Sequence, residues 1–333
     1  MKNFYLLFSS LFLIITIQAQ DIHFSQYTAS PLTLNPSLTG EFDGQMRAIA
    51  NYKSQWTSIS PQLYRTMAAS ADGSLLNNKL GCGLLFFNDK AGTSKMGLTQ
   101  VALAASTKLK VSDNSSFRVG LMAGYSQRTI DYSNLKWENQ WDGQAFNTAQ
   151  TSGENNASGN YSYLDIAAGV SFHTTINKKM KWNVGVGAFH VNKPKYSFYS
   201  SNTTLLSQKF VAHTDFVIPS KLSGTSFMPG IVYFKQGATQ EIAGGLMIKR
   251  TIGQDSKYTG INVSSALLVG AYYRVQDAAI IYAGFDYKNN LAVMMSYDVN
   301  ISGLTKVSKA FGGVEISLIY KLTNQKGSIK TNK

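Results

Sequence analysis

The sequence predicts an all-β protein: a transmembrane antiparallel β-barrel of about 14 strands, with an N-terminal extended segment expected to plug or cap it. Three observations predict this class. Apolar residues alternate with small or polar ones, in many stretches near the ~10 residues with which a tilted strand crosses a bilayer. Charged residues make up 15 % of the 333, against roughly 25 % in ordinary soluble domains. The chain also opens with an export signal, which takes it out of the cytoplasm.

That signal occupies residues 1–19. Lys2 supplies the positive start, Phe4 to Ile17 the apolar stretch, and Ala19 the small residue before the cut, so the mature chain is expected to begin at Gln20. The stretch is shorter than the roughly 20 residues of a spanning helix, and no longer apolar run follows. Cys82 is the single cysteine and lies far from the cut, which excludes an N-terminal lipoprotein and a disulfide framework. Flanked by Gly81 and Gly83, it reads as a small apolar strand residue. An exported chain of this kind is either soluble outside the cell or held in a membrane by something other than helices.

Next comes a segment over 20–43. Pro31, Pro36 and Gly40 make it extended or turned rather than helical. Asn35-Pro36 favours a turn, and Gly40 is free to take positive φ. The alternative to a rigid plug or cap here is a disordered leader. The barrel is expected over 44–322, with a basic tail at 323–333.

Strands are expected near 45–53, 64–72, 80–88, 96–108, 117–128, 163–173, 182–191, 209–218, 226–236, 241–250, 265–275, 278–287, 291–302 and 313–320. The clearest runs from Leu291 to Ser302: Leu291, Val293, Met295, Tyr297, Val299 and Ile301 form one face, and Ala292, Met294, Ser296, Asp298, Asn300 and Ser302 the other. Phe117, Val119, Leu121, Ala123 and Tyr125 likewise oppose Arg118, Gly120, Met122, Gly124 and Ser126. A soluble sandwich shares such alternation, but its strands average nearer 5–6 residues. Longer strands whose second face is rich in Gly, Ala and Ser fit a closed barrel, with lipid outside and water or a plug inside. Trp56, Tyr125, Trp182, Tyr233, Tyr287 and Tyr320, near strand ends, suit the interfacial girdle. An even strand count puts both termini on the periplasmic side and the two longest connections, 131–160 and 192–208, on the outer side. The first of these loops, with Trp137, Trp141 and Phe146, suits an exposed binding surface or a solvated loop equally.

No catalytic constellation stands out. His23, His173, His190 and His213 lack metal-ligand spacing, and Gly185-Val186-Gly187 sits inside a strand pattern with no helix after it. His173 beside Ser171 is expected to face inward, where hydrogen bonding to neighbours explains it. No cofactor and no enzymatic activity are therefore expected. The formal charge of +13 is spread along the chain without a nucleic-acid motif, so no nucleic-acid partner is expected. Turns near anionic lipid, or lumen walls such as Arg118 and Arg128, account for these charges.

Longer motifs carry a family resemblance. Gln20-Asp21-Ile22-His23-Phe24-Ser25-Gln26-Tyr27, Pro31-Leu32 and Asn35-Pro36-Ser37-Leu38-Thr39-Gly40 resemble the opening of the PorP/SprF family, and Arg47 with Tyr52-Lys53-Ser54-Gln55-Trp56 continues it. Ser296-Tyr297-Asp298-Val299-Asn300 and Gly313-Val314-Glu315-Ile316-Ser317 resemble its closing signature; His190-Val191-Asn192-Lys193-Pro194 resembles a middle element. Ser37 and Lys53 stand where the family often has Ala and Arg. The resemblance implies an outer-membrane component of type IX secretion and gliding machinery. It further implies support for export or surface anchoring of a large adhesin through that cargo's C-terminal domain, with outer-membrane lipid and machinery components as the other partners. Core member and cargo-dedicated paralogue both stay open, and a passive channel or solute transporter is the alternative. The candidate partner-binding or barrel-capping residues are His23, Phe24, Gln26, Asn35, Pro36, Gly40, Gln55 and Trp56.

Overall fold

The computed structural model describes residues 21–56, 64–92, 94–132, 135–147, 149–152, 159–198, 204–253, 264–303 and 305–323. The expected leader, its cleavage point at Ala19 and Gln20, and all of the basic tail but Thr323 lie outside them.

Among the described residues there are fourteen strands: β1 (Met46–Gln55), β2 (Tyr64–Leu75), β3 (Leu80–Ala91), β4 (Met96–Lys110), β5 (Ser115–Thr129), β6 (Asn160–Ile176) and β7 (Met180–Phe189), then β8 (Lys209–Pro219), β9 (Thr225–Gln236), β10 (Thr239–Ile252), β11 (Ser265–Arg274), β12 (Ala278–Tyr287), β13 (Leu291–Asn300) and β14 (Phe311–Leu322). Each pairs with its sequence neighbours, and β1 pairs antiparallel with β14 from Met46↔Leu322 to Gln55↔Gly313, closing the ring. Closure leaves no unpaired sheet edge, which hydrocarbon could not satisfy. Among the described residues no helix is long and apolar enough to cross a membrane.

Period two sorts the side chains by face. On β5, Leu121 is 61 % exposed while Arg118 is 1 % exposed. The outer wall is thus apolar, while the inner wall carries the buried charged and polar side chains together with an apolar cluster that includes Leu85, Phe87, Met122 and Phe234. Tyr125, Tyr287 and Tyr320 stand exposed on that outer wall. The sequence-based strand limits hold to a few residues. β6 starts earlier, at Asn160, because Tyr161 and Tyr163 face inward and the polar Asn160 and Ser162 outward, which inverts the apolar phase that begins at Leu164. β13 stops at Asn300, just past a register shift at Asp298/Val299.

Connections β2–β3, β4–β5 and β6–β7 are tight turns at one end of the barrel; the long 130–159 and 190–208 connections lie at the other. The long-loop end is the outer one by the usual asymmetry of such barrels.

Residues 21–43 run inside the ring, and here one expectation is corrected. The sequence reads as extended or turned and not helical; the segment is turned, but Pro31–Leu34 form one helical turn. Pro31 takes the first helical position, where a missing N–H costs nothing, and the Asn35 N–H closes the turn on the Pro31 carbonyl at 2.9 Å. Asn35 then caps a 3-10 turn, Pro36–Leu38, by accepting the Ser37 N–H at 3.0 Å. Gly40 follows at φ +70° and reverses the chain toward β1.

Candidate functional site

The inner wall is built to receive this segment. A side chain on Gly120 would overlap the Pro36 backbone, one on Gly169 the Asn35 amide, and one on Gly230 the Tyr27 hydroxyl. The glycine-rich second face noted in the sequence is therefore the space in which residues 21–43 lie. Their contacts reach every strand of the ring.

At the long-loop end, the Asp21 N–H donates to Gln236 at 2.7 Å. The Asp21 carboxylate meets the His190 ring, whose other nitrogen is 2.8 Å from Asp165. Burial alone would push the imidazole down and the carboxyl up. The hydrogen bonds and opposite charges outweigh it, raising His190 to about 9 and holding Asp21 well below the usual carboxylate range. One step inward, His23 lies 2.9 Å from Glu241 and stacks on Phe234 at 4.8 Å. For His23 burial prevails, and its pKa falls despite the Glu241 carboxylate.

The densest contacts fall at the seam of the barrel. Glu315 on β14 accepts the Ser25 N–H at 2.8 Å and the Gln26 N–H at 2.9 Å. The Ser25 hydroxyl donates to Asp298 at 2.7 Å and accepts from Arg274 at 2.7 Å, and its carbonyl accepts from the Tyr282 hydroxyl. Gln26 donates to Ser296 at 3.1 Å. Lys53 on β1 donates to the His23 carbonyl at 2.8 Å, with Glu315 4.0 Å away. These buried charges survive in a lumen because each faces an opposite charge or accepts backbone N–H groups.

Further along, Tyr27 donates to Asp215 at 2.8 Å, while burial and the Asp215 charge push the phenol far above its usual range. Asn35 donates to the Val170 carbonyl at 3.1 Å, and Ser37 to Ser171 at 2.9 Å. Phe24 packs edge-on against Phe87 at 6.2 Å. At the short-turn end, Asp72 accepts the Gly40 N–H at 2.7 Å and is held bidentately by Arg47 at 2.9 and 2.7 Å. Arg118 donates to the Thr39 carbonyl at 3.2 Å and pairs with Glu41; Asp43 reaches Lys181 at 3.1 Å.

Of the candidate residues, His23, Phe24, Gln26, Asn35, Pro36 and Gly40 thus belong to one column of contacts in the lumen. Gln55 and Trp56 stand apart, half-buried at the long-loop end of β1. Trp56 packs on Tyr64 at 4.9 Å and lines an internal cavity of about 320 Å³, a position inside the ring rather than on the girdle. A wider vestibule of about 900 Å³ opens at the short-turn end. Sequence reasoning missed Glu241, Arg274 and Asp72 as partners of the segment, and Asp165 as the residue that orients its partner His190. Their one signal was a charge on the Gly/Ser face of an alternating strand. Among the described residues no His, Cys, Asp and Glu cluster is disposed to hold a metal ion.

The model of the family described as type IX secretion system membrane protein PorP/SprF matches residues 16–320. Among solved structures, the toluene transporter TbuX of Ralstonia pickettii is 7 % identical over 86 % of this chain and 92 % of its own, with a TM-score of 0.47. The KdgM porin is 6 % identical over 83 % and 99 %, at 0.39. The outer membrane protein Omp33 of Acinetobacter baumannii is 7 % identical over 84 % and 99 %, at 0.41. No curated protein matches the chain in sequence.

Proposed function

The chain belongs to the PorP/SprF family of type IX secretion system membrane proteins, and on that premise we propose that this outer-membrane barrel is a non-enzymatic holder of exported cargo. It supports the export or surface anchoring of a large adhesin-type protein through the cargo's C-terminal domain, as part of the secretion and gliding machinery. A cleaved leader, residues 1–19, delivers it, and residues 21–43 plug the lumen. The observation that carries this reading is the lumen itself. Its wall is glycine-lined and charged to fit the chain's own N-terminal segment, an investment that suits a rigid platform and not a free solute path. The long loops then present the platform to cargo at the outer face.

Gene deletion combined with affinity purification from gently solubilised outer membranes tests the proposal. Deletion is expected to abolish surface display of one large adhesin while permeability to small solutes stays normal, and the purified barrel is expected to bring that adhesin with it. Large conductance in planar bilayers, uptake defects and no co-purifying adhesin would replace the proposal with the passive-channel reading.

A further inference from the structure

The 320 Å³ cavity at the long-loop end has chemistry that the packing of the N-terminal segment does not consume. Its floor is apolar, formed by the buried side chains of Leu85, Phe87, Met122 and Phe189. Its polar lining holds the cations Arg128 and Lys209 together with Asp21, Asp89, Asp165 and His190. The Arg128 Nε is buried without a hydrogen-bond partner. Its guanidinium lies over the Tyr196 ring at 4.7 Å, and the Asp21 carboxylate is 3.9 Å away. The Lys209 ammonium lies 5.6 and 5.5 Å from the rings of Phe189 and Phe234, and among the described residues no carboxylate comes within 4.0 Å of it.

The nearby carboxylates are already engaged. Asp21 and Asp165 flank His190 on its two ring nitrogens, and Asp89 accepts from Thr66 at 2.8 Å. Arg128 shares Asp21 with His190, and Lys209 has no carboxylate within 4.0 Å among the described residues; a buried cation so placed is costly unless something neutralises it. A ligand carboxylate would do so, in charge-assisted hydrogen bonds to both groups. The volume equals roughly ten waters, which fits an aromatic amino-acid residue or a short acyl chain.

We propose that this cavity binds an apolar organic carboxylate, its body on the Leu85–Phe87–Met122–Phe189 floor and its carboxylate between Arg128 and Lys209. That chemistry has two sources: the free C-terminus of an exported polypeptide, or a fatty acid. The polypeptide source rests on the cargo-holding reading above; the acyl source does not.

Calorimetric titration of the full mature barrel in lipid nanodiscs tests it, with empty nanodiscs subtracted. The probes are N-acetyl-phenylalanine and octanoate, each against its neutral counterpart, N-acetyl-phenylalanine amide and octanol. One acid or the other is expected to bind at least about tenfold more tightly than its neutral counterpart, a ratio equal to ~1.4 kcal/mol. Preference in the amino-acid arm alone assigns the site to polypeptide termini, and preference in the octanoate arm alone assigns it to acyl chains. Lys209→Met is expected to erase the preference and Lys209→Arg to keep it, with the heat-modifiable barrel band on gels confirming folding. Arg128→Met serves where Lys209→Met does not fold. Equal binding of acid and neutral probes in both arms, or a preference unchanged in the folded methionine variant, overturns the proposal. Adhesin display is measured separately, so either reading can fail without the other.

Discussion

Replacing Glu315 with alanine should free the N-terminal segment from the wall, and the structure sets the size of the effect. Glu315 is 1 % exposed, accepts two backbone N–H groups at 2.8 and 2.9 Å, and stands 4.0 Å from the buried Lys53 ammonium. Glu315→Ala leaves both N–H groups and the cation without this partner. Breaking a buried pair from one side costs about 3–5 kcal/mol. If that cost falls on the lodged state, the opened population rises by roughly two to four decades. Ala29, 1 % exposed within the segment, provides the reporter. In a Cys82→Ala background, which removes the exposed native thiol, Ala29→Cys reacts with a polar maleimide only when the segment leaves its seat. The labelling rate should climb by that factor while the folded barrel band persists. An unchanged rate in a folded Glu315→Ala variant would refute the reasoning.

Alkali should loosen the outer end of the segment. His190 titrates at about 9 in the folded chain and near 6.5 unfolded, so its stabilisation is complete below the lower value and disappears as pH rises through the upper one. Hydrogen exchange at the Asp21 amide, corrected for its intrinsic rate, should show lost protection above pH ~9, and His190→Gln should abolish that step; a flat profile in the native chain contradicts the assignment. Acid acts oppositely on Asp21, whose lowered pKa keeps its contribution intact until pH falls well below the ordinary aspartate value. Gly169→Val should unseat Asn35, whose amide oxygen occupies the space of the new side chain, and speed labelling at position 29. Gly303→Ala, with nothing within 4 Å, should leave the rate unchanged. Leu121→Arg, on the lipid face near the middle of β5, should destabilise the barrel by about 2–4 kcal/mol, read as a lower denaturant midpoint for loss of the heat-modifiable band; no shift would mean that Leu121 does not face hydrocarbon.

The ring of strands was legible because each strand states its own two faces. Leu121 and Arg118 are three residues apart and point oppositely whatever the rest of the chain does. The turn at Asn35-Pro36 and the positive φ of Gly40 were likewise local, and sequence carried them. Pro31–Leu34 was misread because proline breaks a helix in its interior and favours one at its first position. Its neighbours did not say which applied. The column of contacts was hidden for another reason. Ser25 meets Glu315 across 290 positions, and Asn35 meets His213 across 178. Alternation says that Glu315 points inward but not what waits there. The opening and closing motifs could be quoted from the sequence as separate marks of a family; only the fold shows them touching.

The polypeptide fastens its end to its beginning. Ser25 and Gln26 leave the ribosome early, yet their hydrogen-bonding partners Asp298, Ser296 and Glu315 leave it almost last. A half-made sheet lacking β13 and β14 leaves Ser25 only Arg274, Tyr282 and Lys53 and takes away the partners of the Gln26 backbone N–H and side chain, so the segment is fully held only as the cylinder shuts. Once settled it bridges the first and last staves from within, through Lys53 on one and Glu315 on the other. Prising those staves apart, to let another chain slip sideways into the bilayer, would require tearing out this rivet first. The seam between β1 and β14 is therefore pinned from inside as well as by its own ladder.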